Sequence, residues 1–266
     1  MFDRFNRHIH YLRISVTDRC NLRCRYCMPE EGVRMISHGD IMTFEEITDV
    51  VKAAVSAGID KFRLTGGEPL VRKDITQLVA MISAVPGVKD LGMTTNGILL
   101  KKYAHDLKKA GLHRVNISLD TTDPEKFRQI TRGGDVGQVL EGIHAAREAQ
   151  LFPLKLNCVV VQSSVEEDAL LVREFAEREG LQVRFIRQMD LEEGDYYVVE
   201  GGMGGNCSVC NRLRLTANGM LKPCLFSEHE FSVRKMGAVR ALAEAVKSKP
   251  LKGCYNRKGS FYNIGG

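Results

Sequence analysis

This 266-residue sequence predicts an α/β fold, a partial (β/α)6 barrel with a small C-terminal segment closing one side. Three observations lead there. From Leu12 to Gln188, short β-rich runs alternate with amphipathic helical stretches. The strand runs repeatedly pair an apolar face with a polar, basic one. After Gln188 the rhythm stops, and the remaining tail is too short for a core of its own.

Taken in order, strands are expected at Leu12–Thr17, Lys61–Thr65, Asp90–Thr95, Arg114–Asp120, Leu154–Val161 and Gln182–Gln188. The first helix opens on the capping box Thr43-Phe44-Glu45-Glu46, presents a stripe of Ile47, Val50, Val51, Ala54 and Val55, and stops at Gly58. Further helices are expected at Asp74–Ala84, Tyr103–Ala110, Val136–Ala149 and Glu166–Arg178, and one in the tail near Gly237–Lys247. Side chains alternate across a strand. Leu12, Ile14 and Val16 therefore oppose Arg13, Ser15 and Thr17, and Phe62 and Leu64 oppose Lys61, Arg63 and Thr65. Val115, Ile117 and Leu119 oppose Asn116, Ser118 and Asp120, while Lys155, Asn157 and Arg184 repeat the polar side in the last two strands. Strands buried under helices on both sides would be apolar on both faces. A curled sheet whose polar side lines a wet, electropositive lumen accommodates the pattern; the alternative is polar residues at strand ends facing water. The division expected is a barrel over 1–190 and a C-terminal segment over 191–266, with Gly201-Gly202-Met203-Gly204-Gly205 as a flexible linker.

Composition excludes several classes. Hydrophobic residues are 44% and charged residues 27%, which suits a packed domain. No apolar run approaches the roughly 20 residues that cross a bilayer, and the start Met1-Phe2-Asp3-Arg4-Phe5 lacks the core of a signal peptide. A cytoplasmic protein with no membrane partner is expected. A net charge of +5 is too mild to argue for nucleic acid.

Eight cysteines in a reducing compartment point to metal rather than disulfides. Cys20, Cys24 and Cys27 follow the first strand, at the mouth where barrel active sites sit. Three thiolates leave one iron of a cubane 4Fe–4S cluster open to a small molecule. Structural zinc with a distant fourth ligand, or a redox loop, is the plainer reading. Cys207-x2-Cys210-x13-Cys224 forms a second triplet. Cys158 sits on an apolar strand face and reads as core, and Cys254 reads as a lone thiol.

The C-x3-C-x2-C motif, with Tyr26 before its last cysteine, resembles the radical S-adenosylmethionine (SAM) superfamily. That resemblance implies a 4Fe–4S cluster on Cys20, Cys24 and Cys27 that holds SAM and splits it to a 5′-deoxyadenosyl radical. It also places Tyr26, Gly67 and Glu68 of the Gly66-Gly67-Glu68-Pro69 turn, Ser118 and Met189 at SAM, with Glu68 taking the ammonium group. The second triplet, the run Arg212-Leu213-Arg214-Leu215-Thr216 and the terminal Gly265-Gly266 resemble the GTP 3′,8-cyclase family of molybdenum-cofactor biosynthesis. This implies a second 4Fe–4S cluster on Cys207, Cys210 and Cys224 that binds the guanine base. It implies GTP contacts from Arg13, Lys61, Arg63, Thr94, Lys155, Arg184, Arg212 and Arg214, of which Arg13, Arg212 and Arg214 are catalytic. The reaction implied is cyclisation of GTP to (8S)-3′,8-cyclo-7,8-dihydroguanosine 5′-triphosphate. An electron donor, a downstream pyranopterin-forming enzyme and a homodimer are implied too.

One departure stands out. Only 17 residues separate Met189 from Cys207, where the family has several tens more. Two further readings follow: a radical SAM paralogue acting on another nucleotide or a peptide, and a zinc-stapled nucleotide-binding protein without catalysis.

Overall fold

A computed structural model describes residues 1–31, 33–257 and 264. Six parallel strands form the sheet: β1 (Tyr11–Ser15), β2 (Lys61–Thr65), β3 (Asp90–Thr95), β4 (Arg114–Ser118), β5 (Lys155–Val160) and β6 (Gln182–Arg187). Between them run α1 (Phe44–Ser56), α2 (Ile75–Ser83), α3 (Leu100–Lys109), α4 (Pro124–Thr131), α5 (Val136–Glu148) and α6 (Glu167–Arg178). The Thr43–Glu46 capping box forms as expected: Thr43 N donates to Glu46 Oε2 at 2.8 Å, and Glu46 N to Thr43 Oγ1 at 3.2 Å. α4 was not expected, although Asp123 capping it and Pro124 opening it are a sequence signal for a helix start.

The apolar strand faces meet the helices. Leu12, Ile14, Phe62, Leu64, Met93, Val115, Ile117 and Leu156 are fully buried, as is Cys158. Each such side chain contributes about 1.5–3 kcal/mol by leaving water, so the helices are held to one side of the sheet and the polar face is left to the interior.

The tail does more than close a side. β7 (Arg212–Leu215) pairs in parallel with β1, and β8 (Met220–Lys222) and β9 (Phe231–Ser232) follow antiparallel, giving one open sheet in the order β6-β5-β4-β3-β2-β1-β7-β8-β9. α7 (Val233–Met236) and α8 (Ala238–Lys247) complete it, with α8 packed on α1. The glycine-rich run differs from the expected linker. It is an ordered arch laid on β6: Phe185 and Glu200 exchange both backbone hydrogen bonds at 3.1 Å, and Val199 N donates to Gly204 O at 2.9 Å. Glycine is needed there for close approach, since a Cβ on Gly201 would lie 2.7 Å from Val183 O.

Candidate active site

The polar strand faces converge on one cavity of about 830 Å3. Both cysteine triplets open into it. Topology sets them at opposite ends. The Cys20–Cys27 loop leaves the C-terminal end of β1. Cys207 and Cys210 precede β7, which runs parallel to β1, and Cys224 follows β8, which runs back. Strands of this length hold the two ends on the order of 15 Å apart, at about 3.3 Å per residue.

Cations fill the space between. Arg214, Arg13 and Arg63 stand in register across β7, β1 and β2, and Gly92 then leaves room for Arg114, whose Cγ a Cβ there would approach to 3.4 Å. One row toward the strand starts lie Arg212, Tyr11 and Lys61. Arg63 Nε donates to Tyr11 Oη at 2.6 Å and its Nη1 to Thr94 Oγ1 at 3.1 Å. Lys61 and Arg114 share Asp90, Arg114 by a two-pronged contact at 2.6 and 2.7 Å. Arg184 Nε, Arg212 Nε and Asn116 Oδ1 are buried without a hydrogen-bond partner, an arrangement suited to an anionic, polar ligand. Crowding shows in the acid–base balance. Burial and Arg212 pull Arg214 down to about 10. Burial, then Arg184, lowers Lys155. For Tyr11, burial alone would raise the phenol, yet Arg63, Arg13 and Arg212 outweigh it and bring it to about 8.

The first triplet sits in different surroundings. Cys20 Sγ accepts from Leu22 N at 3.4 Å and from Asn96 Nδ2 at 3.7 Å. Burial pushes Cys24 up to about 12, with the Asp120 carboxylate adding to it, and burial takes Cys27 to about 12 as well. Tyr26 donates to Asp120 Oδ2 at 2.7 Å, which sets its ring beside the triplet. Gly67, Ser118 and Met189 line the cavity. Glu68 does not: it is 1% exposed, and its carboxylate accepts from Leu70 N, Thr95 Oγ1 and Asn96 N at 3.0, 2.8 and 2.7 Å. Its bond to Asn96 N holds Asn96 beside Cys20, and burial raises it to about 7. The two glycines before it serve a backbone contact, because a Cβ on Gly67 would lie 2.3 Å from Arg19 O.

Of the expected nucleotide contacts, Arg13, Lys61, Arg63, Thr94, Arg184, Arg212 and Arg214 line the cavity; Lys155 does not, though it belongs to the same group of mutually repelling cations. Tyr11, Arg114 and Asp90 were missed. Extending the first strand by one residue would have found Tyr11, whose position alternates with Leu12. The arch supplies Tyr196, Val199 and Gly201–Gly205 to the wall, so the short connection forms part of the lumen's lining. Cys254 is exposed and lies outside the lining. Ile264 is buried with Leu191, Leu225 and Phe226, against Met189 and Cys224; Gly265 and Gly266, which carry part of the family resemblance, lie outside the described residues.

The donor sets fit iron–sulfur cubanes. Each is three thiols facing a shared cavity, and among the described residues no further cysteine lines it. Among the described residues no three His, Cys, Asp or Glu side chains close on one point, as a single zinc ion requires.

This site on a parallel α/β sheet defines a radical SAM protein, and the model of the radical SAM superfamily matches residues 14–176. A GTP 3′,8-cyclase of Alkaliphilus oremlandii (strain OhILAs) is 43% identical over 302 aligned residues, covering 95% of this chain and 94% of the relative. One of Thermodesulfovibrio yellowstonii is 40% identical, covering 95% and 92%. The chain belongs to the GTP 3′,8-cyclase family of the radical SAM superfamily. With membership come that family's cofactors, two 4Fe–4S clusters and SAM. Among solved structures, Streptococcus suis SuiB bound to precursor peptide SuiA superimposes with a TM-score of 0.69 at 15% identity, covering 92% of this chain and 66% of that one. Native anSMEcpe with bound AdoMet gives 0.66 at 16%, covering 91% and 81%. Both likenesses show the fold. Among the described residues no helix is long and apolar enough to cross a membrane.

Proposed function

We infer that this chain cyclises GTP to (8S)-3′,8-cyclo-7,8-dihydroguanosine 5′-triphosphate, the first step of molybdenum-cofactor biosynthesis. One observation carries the reading: the belt of Arg214, Arg13 and Arg63 lies between two three-thiol sites in a single cavity. The division of labour follows. Residues 1–190 hold SAM through a cluster on Cys20, Cys24 and Cys27, with Tyr26, Gly67, Ser118 and Met189 around it. Residues 191–266 hold the base at a cluster on Cys207, Cys210 and Cys224. The first cluster with SAM supplies hydrogen-atom abstraction from the ribose.

The protein's own part is positioning. Arg13, Arg63, Arg184, Arg212 and Arg214 bind the triphosphate through forked, charge-assisted hydrogen bonds, and Thr94 steadies Arg63. Lys61 arrives with part of its charge already spent on Asp90. Holding base and triphosphate at fixed points puts the ribose in line with SAM, which removes most of the entropy of the encounter. The arch and the Cys20 loop form walls around the space where the ribose would sit. A cytoplasmic homodimer served by an electron donor and passing its product to a pyranopterin-forming enzyme completes the reading.

The test is incubation of anaerobically reconstituted protein with reductant, SAM and GTP. Formation of 5′-deoxyadenosine together with a product of GTP's own mass is expected. Deoxyadenosine at equal rates with and without GTP, and no isomer, would sink the assignment of substrate.

A further inference from the structure

The C-terminal triplet has a buried cation beneath it that the GTP contacts do not include. Lys249, just past α8, is 1% exposed. Its Nζ donates to Arg212 O at 2.7 Å and Pro223 O at 2.8 Å, and its charge acts on the Cys210 thiol. Those carbonyls lie two residues after Cys210 and one before Cys224, so one ammonium ties both arms of the triplet together. Among the described residues it has no carboxylate. Lys249 lines the cavity at that end, and the deeply buried cations outside the cavity differ from it: Arg7 is paired with Asp3 at 2.7 Å and Lys222 with Glu230 at 3.4 Å. Arg7 braces the same loop, donating to Cys207 O at 2.7 Å, but brings its own counter-charge.

An ammonium ion buried without an anion is unfavourable. The fold tolerates Lys249 if an anion completes the site, and a cubane held by three thiolates is one. Its net negative charge grows on reduction, so a fixed cation in contact favours the reduced state. At the first triplet the bracing cation is different: Arg23 donates to Cys20 O at 2.6 Å and Leu22 O at 2.8 Å but is only half-buried, and the Asp120 and Glu68 carboxyl groups act against it.

We propose that Lys249 is the built-in counter-charge of the C-terminal cluster, a positioning residue that holds its ligand loop and raises its reduction potential above that of the N-terminal cluster. The inference rests on the two-cluster reading above. Lys249→Gln keeps a donor for the carbonyls and removes the charge; Lys249→Arg keeps the charge and changes the shape. Each full-length protein is reconstituted anaerobically, assayed for iron and sulfide, and titrated potentiometrically by electron paramagnetic resonance. The signal that SAM perturbs marks the N-terminal cluster.

Expected is a midpoint displaced to more negative potential for the C-terminal cluster alone in K249Q, with K249R near the wild type. Loss of that cluster in K249Q but not in K249R supports the proposal equally. An unmoved midpoint in a fully loaded K249Q overturns it, as does equal displacement of both clusters, or loss of the cluster in both variants. A wild type that takes up only one cluster refutes the function proposed above as well, which separates the two failures.

Discussion

The two ends of the cavity hold the same donor set in opposite electrostatic settings. At the N-terminal end, Cys20, Cys24 and Cys27 have backbone amides, Asn96 and buried carboxyl groups for neighbours, and burial drives the thiols upward. At the C-terminal end, burial would raise Cys210 too, but Lys249 and Arg212 reverse it and the thiol is lowered, while at Cys224 burial outweighs Lys249 and the thiol stays raised. Three thiols alone do not say what a cluster will bind. The surroundings do: SAM carries sulfonium and ammonium charges and fits the end where the Asp120 and Glu68 carboxyl groups act on the thiols, whereas a nucleoside triphosphate fits the end where Arg212, Arg214 and Lys249 are crowded. One cavity can thus sort a cationic cofactor from an anionic substrate before any chemistry occurs.

Removing one thiol at each end is the severest test of that contrast. Cys24→Ala is expected to abolish SAM cleavage altogether, measured as 5′-deoxyadenosine. Cys210→Ala is expected to keep cleavage without GTP and to lose the cyclised product. Equal loss of deoxyadenosine in both variants would show that the ends are not separable. Below these in size comes the cation belt. Arg63→Ala removes a charged donor and should weaken GTP binding by about 1.5–3 kcal/mol, roughly 10- to 100-fold, with SAM affinity unchanged. Isothermal titration with each ligand checks it, and a matching loss for SAM would contradict the sorting.

Much of this was legible in the sequence because alternation in a strand is a geometric rule. Arg13, Lys61, Arg63 and Arg184 were assigned to one face from period two alone, and they line the cavity. The tail was harder. Arg212-Leu213-Arg214-Leu215 has the same alternation, but four residues give too little signal to show a strand, and nothing local shows that it pairs with β1. That long-range pairing is what sets the two triplets at opposite ends. The arch was misread because glycine signals freedom in an isolated chain, while here Gly201 permits a contact with Val183 O that a side chain would block. The burial of Glu68 was not legible for a related reason: composition shows a carboxylate near a glycine turn, not which side of the backbone it takes.

The smallest expected effect concerns Tyr11, which stands among the cations without being one. Its hydroxyl accepts from Arg63 Nε, and its ring lies 5.4 Å from Lys61 Nζ and 6.0 Å from the Arg212 guanidinium carbon. Arg13, Arg184 and Arg214 also act on it, and Asp90 holds Lys61 nearby. With the phenol at about 8 in the free protein, raising the pH further creates a phenolate inside the triphosphate site. Bound phosphates disfavour that charge, so binding takes up a proton, and GTP affinity should fall by up to about tenfold per pH unit above the phenol's range, with little change below it. The sign for folding is the reverse. The unfolded chain keeps this proton until about pH 10 while the free folded protein has released it, so wild-type stability rises relative to Tyr11→Phe as the pH climbs from about 8 to 10. Tyr11→Phe should flatten both dependences while leaving SAM binding untouched. Denaturant midpoints and GTP titrations at pH 7 and 9 measure them together. An alkaline loss of GTP affinity that persists in the variant would assign it to another group and leave Tyr11 as packing alone.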